Sequence, residues 1–216
     1  METTRMQYGE DEVRERLDPY HDRILGVIER GYAEWVAVKR NMASIGTGPV
    51  LYPRTTANHV FDAIARHAIA EFGSDPDVRV SQNAQTVKFC FEDVVLARFK
   101  KGDEDNLGRN LRTQAVLDFV NLQSQLPGMP PSAAKVELLY TANEIEDSIE
   151  RVVVAARDGD ELLWYYEIVP AAASDIGVTP FPMPNGPLDD AADASEELVV
   201  LRKRQRNEDT SDSNGN

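Results

Sequence analysis

Cysteine is all but missing: Cys90 stands alone among 216 residues, so no disulfide forms within the chain, and its Phe-Cys-Phe setting reads as buried strand. Lysine is scarce, at positions 39, 88, 100, 101, 135 and 203 only. With 37 acidic against 23 basic residues the formal net charge is −14. That balance excludes broad non-specific binding to nucleic acid, which needs many phosphates neutralised at once; it leaves room for a local basic groove. Histidine appears three times. His59 and His67 are eight residues apart on one expected helix, about 12 Å along its axis, too far to share a metal unaided. No apolar run approaches the roughly 20 residues that cross a bilayer. The opening METTRMQYGEDEVRER has no apolar core of a secretory signal, so a cytoplasmic location is expected. HExxH, CxxC, P-loop and GxSxG patterns are all missing. No catalytic residue, metal ligand or cofactor site is therefore expected.

What is present is a pattern of elements. Residues 11–43 read as one long amphipathic helix, with Val13, Leu17, Tyr20, Ile24, Val27, Gly31, Trp35 and Val38 on one face. An arm of residues 1–50 packed on its own domain is the first expectation; the same stripe would suit a homodimer seam. A second helix is expected from a Thr55 or Thr56 cap to Phe72, with Val60, Phe61, Ile64, Ala68, Ile69 and Phe72 inward. Strands are expected at 78–81, 86–91 and 94–100, joined by connections short enough for an antiparallel meander. A third helix over 110–125 ends at Leu-Pro-Gly-Met-Pro-Pro. Further strands follow at 135–141, 149–156 and 161–169, the last two joined by Asp-Gly-Asp-Glu, while helix is an alternative at 144–150. The fold class is α+β: long N-terminal helix, second helix, antiparallel β-meander, third helix, further antiparallel strands. An α+β domain would span 51–170. Residues 171–216, acidic and rich in Pro, Ala, Gly and Asp, are expected to be mostly disordered, with Glu196–Arg206 as a solvated or docking island.

Against the acidic background, VVLARFKKGDEDNLGRNLRTQAVLDFV gathers basic residues at a strand–loop–helix junction. Arg98, Lys100 and Lys101 end the strand; Arg109, Asn110, Arg112 and Gln114 stand at the helix start. Guanidinium forks and free backbone N–H groups suit phosphate or carboxylate. The bland reading pairs these cations with Asp103, Glu104 and Asp105 of the same loop. The order helix, three strands, helix, strand is also that of the PD-(D/E)XK nuclease core, whose carboxylates and lysine hold a divalent metal. Glu71, Glu92 or Asp93, and Lys100 are the residues available for those parts. Arg98, two positions before Lys100, occupies the place where that pattern wants a carboxylate.

RTTANHVFDAIARHA (54–68), ARFKKGDEDNLGRNLRTQAVLDFVNLQSQLPGMPP (97–131) and ELLWYYEI (161–168) together resemble a family of small uncharacterised bacterial proteins. Its genes often lie beside a helix-turn-helix regulator or an ImmA/IrrE-type metallopeptidase. The resemblance covers about half the chain, and Gly102 departs from it where a bulky apolar residue is expected after the double lysine. It implies a prokaryotic defence or toxin–antitoxin-like setting, with a neighbouring regulator or metallopeptidase as protein partner. The resulting expectation is a non-enzymatic regulatory or interaction protein whose basic face takes an acidic partner or a phosphate-bearing ligand. The alternative is a divergent or degenerate PD-(D/E)XK-like nucleic-acid-processing protein.

Overall fold

The computed structural model describes residues 8–50, 52–83, 86–108, 114–121, 124, 126 and 128–170. All belong to a unit spanning Met1–Gly177; Val178–Asn216 forms a second unit. The expectations for 171–216, including Glu196–Arg206, lie outside the described residues.

The long N-terminal stripe forms two helices rather than one, α1 (Glu10–Leu17) and α2 (His21–Ser44), separated by a 3-10 turn at Asp18–Tyr20. Pro19 explains the break, since it lacks an N–H and clashes with the preceding turn. The apolar stripe runs through the break: Val13, Leu17, Tyr20, Ile24, Val27, Gly31 and Trp35 are all buried. Both helices pack into the same core as the sheet. α3 (Pro53–Phe72) begins earlier than the threonines suggest, with Pro53 in its first turn and extended Tyr52 before it. Proline at that position has its φ preset and gives up an N–H that no carbonyl would have met.

The strands are β1 (Val78–Gln82), β2 (Val87–Phe91), β3 (Val95–Lys101), β4 (Ala134–Ala142), β5 (Ile149–Asp158) and β6 (Glu161–Glu167). They lie in chain order in one six-stranded sheet. Four neighbouring pairs are antiparallel. β3 and β4 are parallel, as a connection through an intervening helix allows; that helix is α4 (Gln114–Val120). The α+β class holds. At the β2–β3 turn Glu92 and Asp93 both take left-handed backbone, φ 50° and 55°, the geometry of a tight primed hairpin. Turn, not helix, occupies 143–148.

Strand alternation sends successive side chains to opposite faces. Phe89, Phe91, Val95, Ala97, Phe99, Val136, Leu138, Val152 and Val154 meet α1, α2 and α3 in the main core. The other face packs Cys90 and Leu96 beneath Phe119 and Val120 of α4, and it carries the charged groups considered next. No helix among the described residues is long and apolar enough to cross a membrane.

Candidate functional site

On the α4 face, the off-phase residues of three adjacent strands are Lys88 and Cys90 of β2, Leu96, Arg98 and Lys100 of β3, and Lys135, Glu137 and Leu139 of β4. The parallel register sets Arg98 opposite Glu137. Arg98 donates from Nε at 3.0 Å and also from Nη2 to Glu137 Oε1, and its guanidinium lies 4.2 Å from the centre of the Phe119 ring. The two side chains are 2% and 1% exposed. This corrects the expectation that Arg98 would present itself on an open face: the pleat points it under α4, and a carboxylate 39 residues away supplies its countercharge.

Glu137 ties together more than one strand pair. Its Oε2 accepts from the Gly108 N–H at 3.3 Å and stands 3.7 Å from Arg157 Nη1 on β5. Arg157 Nη1 donates in turn to the Gly108 carbonyl at 3.4 Å. A methyl group on Gly108 would lie 2.8 Å from the same carboxylate oxygen, so glycine lets the 102–108 loop come this close. Lys135, also buried, donates from Nζ to the carbonyls of Asp118, Asn121 and Ser124. There a lysine from the strand closes the carbonyl end of α4, where the helix dipole favours positive charge.

Lys88 and Lys100 differ from these. Both are half-buried, and neither ammonium group makes a hydrogen bond or ion pair with any of the described residues. Burial lowers the proton affinity of each ammonium, and the positive charge of Arg98 lowers it further. Glu137 opposes the effect at Lys100 and Asp118 opposes it at Lys88, without contact. Two partly desolvated cations thus flank a buried guanidinium. Replacing Lys88 by methionine is expected to stabilise the fold, by about 0.5–2 kcal/mol as for other relieved surface liabilities. The sign follows from the lowered folded-state affinity. The wild type carries the burden while the lysine is charged and loses it as pH rises through the lowered folded-state value, so the gain in urea midpoint should be full while Lys88 is charged in both states and shrink as pH rises through that lowered value.

The other expected site residues scatter. Lys101 points to the opposite face from Lys100, is exposed, and sits 3.4 Å from Glu146. Gln114 donates at 2.6 Å to Asp118, one turn along α4. Arg109, Asn110 and Arg112 lie outside the described residues. Asp103 accepts the backbone N–H groups of Asp105 and Leu107 and shapes its own loop, whereas the carboxylates beside Arg98 and Lys101 come from β4 and from the β4–β5 turn. Sequence reasoning missed Lys88, Glu137, Arg157 and Lys135.

The nuclease parts do not converge. Glu71 is held by Arg23 and Arg30, Glu92 by Arg16 and Asp93 by Arg79. Glu92 and Asp93 precede β3, while Lys100 is near its far end, about 17 Å from Val95 at strand rise. Among the described residues no group of His, Cys, Asp or Glu is arranged to hold a metal. His59 packs on Trp35, ring centres 5.3 Å apart, and His67 meets Glu34 at 2.7 Å. Burial pushes the Cys90 thiol up to about 11, which leaves it protonated and unreactive at neutral pH. On β6, Tyr166 is buried and Trp164 half-buried on the helix side, while Tyr165 is exposed. No family model, curated protein or solved structure matches the chain.

Proposed function

We propose that the protein is a non-enzymatic cytoplasmic regulatory or interaction protein that recognises a phosphate-bearing ligand through Lys88 and Lys100. The observation that carries this reading is the pair of half-buried ammonium groups with no anionic contact among the described residues. A fold gains nothing from desolvating unpaired cations, and a bound oxyanion would relieve both. The family resemblance adds the expectation of a prokaryotic regulatory setting with a neighbouring regulator or metallopeptidase as partner. An acidic segment of such a partner would bring the same sign of charge, as carboxylate. The test is calorimetric titration with inorganic pyrophosphate and with a short polyglutamate peptide. Binding of pyrophosphate that weakens at least tenfold in both Lys88→Met and Lys100→Met is expected, with polyglutamate weaker. Unchanged pyrophosphate binding in the two variants would refute the site, and preference for polyglutamate would make it an acidic-peptide face.

A second reading is favoured by one feature of the sheet. An antiparallel three-strand meander, a crossing helix and a fourth strand parallel to the third follow the element order of the PD-(D/E)XK core. With Arg98 where that pattern wants a carboxylate, and Lys88 beside it, positive charge stands where a divalent metal would need negative. This fits a non-cleaving relative that keeps a phosphate-binding face. No cleavage of DNA or RNA with Mg²⁺ or Mn²⁺ is expected; metal-dependent cleavage that Lys100→Met abolishes would overturn both readings in favour of an enzyme.

A further inference from the structure

We infer that the group bound between Lys88 and Lys100 is a phosphate monoester in its dianionic form, rather than a phosphodiester. This rests on the reading of the two lysines as an anion site. Three features of the face lead to it.

The first is charge pairing. Arg98 is matched by Glu137. Arg157 lies between Glu137 and Asp160. Lys135 is held by three carbonyls. Asp118 accepts from Gln114 and lies within electrostatic range of Lys88. Among the described residues, Lys88 and Lys100 are left as two positive charges without an anionic contact. A dianion answers both, while a monoanionic diester leaves one partly desolvated ammonium uncompensated.

The second is reach. Lys88 and Lys100 stand on neighbouring antiparallel strands. The β2–β3 pairing ends at Phe89–Ala97; continued by one residue, the same register would set Lys88 across from Arg98, with Lys100 two residues further along β3. Such diagonal neighbours are about 7–8 Å apart, a gap that two four-carbon stems close on one tetrahedral group. Lysine ammoniums are freely rotating point charges with three donors each, suited to the open oxygens of a terminal phosphate.

The third is field. The chain carries −14, which repels a long polyanion far more than a single small one. A nucleic-acid backbone would need a track of cations, whereas Lys101 leaves this face for the other one.

The deciding experiment is calorimetric titration of the full chain with phenyl phosphate and with its methyl ester, from pH 5 to 9.5. Phenyl phosphate is expected to bind about tenfold more tightly than the diester at pH 7.5. Its affinity should rise between pH 5 and 7 as the monoester loses its second proton, near pH 6. Lys88→Met should erase the preference; its gain in stability keeps a folding defect from imitating the result. A 5′-phosphorylated oligothymidine should bind no better than phenyl phosphate. Equal affinity for monoester and diester overturns this inference and leaves the anion site standing. Binding of neither ligand removes both. Tighter binding of a 5′-hydroxyl oligothymidine than of phenyl phosphate would assign the site to the nucleic-acid backbone.

Discussion

Glu137→Ala is expected to cost about 3–5 kcal/mol, the range for removing one partner of a buried ion pair. Whole domains are stable by only about 5–15 kcal/mol, so the variant should be largely unfolded under mild denaturant. The mechanism is specific. Arg98 and Arg157 both direct guanidinium nitrogens at this carboxylate, from β3 and β5, and both are at least nine-tenths buried. Alanine leaves buried Arg98 without its carboxylate and Arg157 with only Asp160, 3.9 Å away, as anion. It also removes the acceptor of the Gly108 N–H, which anchors the loop entering α4. Glu137→Gln keeps an acceptor oxygen but turns an amide donor toward one guanidinium, so an intermediate loss is expected. Arg98→Met combined with Glu137→Met should recover part of the stability, since apolar replacement of a buried pair is often neutral; Arg157 would still lack its carboxylate. Urea unfolding monitored by the two tryptophans measures all three. A loss below about 1 kcal/mol in Glu137→Ala would show that the cluster is not what joins β3, β4 and β5.

How much of this was readable beforehand depends on the distance over which each feature is encoded. The strands are encoded locally, and the period-two alternation of Val-Lys-Phe-Cys-Phe and Ala-Arg-Phe-Lys places them to within a residue or two. That alternation also held an unused signal. Lys88, Arg98 and Lys100 all occupy the phase opposite Val87, Phe89, Ala97 and Phe99, so the three cations had to share one face. What no local pattern contains is the partner of Arg98. Glu137 lies in a strand that reads as ordinary apolar sequence, and only the parallel register of β3 with β4 brings the two together. The helix between those strands is compatible with a parallel pair, since parallel neighbours need a crossover. The expectation from sequence, however, is of antiparallel strands, and a crossover does not set which residue of β4 falls opposite Arg98. The break at Pro19 and the start at Pro53 were legible too: in each case proline geometry outranks the propensity of the residues around it.

The physical character of the face follows from the same register. A sheet buried on both sides normally fills both with aliphatic residues; here the α4 side replaces several of them with cations around one carboxylate. Inside the cluster Arg98 has a carboxylate and Lys135 three carbonyls, whereas among the described residues Lys88 and Lys100 have no such partner. Selection for stability alone would favour methionine or leucine at those two positions. The predicted rise in urea midpoint for Lys88→Met, together with loss of anion binding, therefore separates a functional cation from one that merely decorates the surface: a structural lysine would lose stability on replacement.

Gly31→Ala is expected to destabilise the protein by about 1–3 kcal/mol, the usual range for overpacking, whereas Gly26→Ala in the same helix should stabilise it by up to about 1 kcal/mol. Alanine exceeds glycine in helix propensity at both positions, so the difference comes entirely from what each new methyl group would meet. At Gly31 it would lie 2.7 Å from the Ile64 backbone nitrogen and 2.8 Å from its Cα. Main chain inside α3 cannot step aside, and α2 and α3 would have to separate along their contact. At Gly26 the nearest atom is Arg30 Nη1 at 3.1 Å, the far end of a flexible side chain that turns away at little cost. The pair forms an internally controlled measurement, because both variants share host helix, length and chemistry. Urea unfolding should show midpoints shifting in opposite directions with unchanged slope. If both rise, α3 is free to move off α2. That would contradict the close packing that lets a long helix with a glycine in its apolar stripe, otherwise readable as a dimer seam, bury that stripe against its own domain.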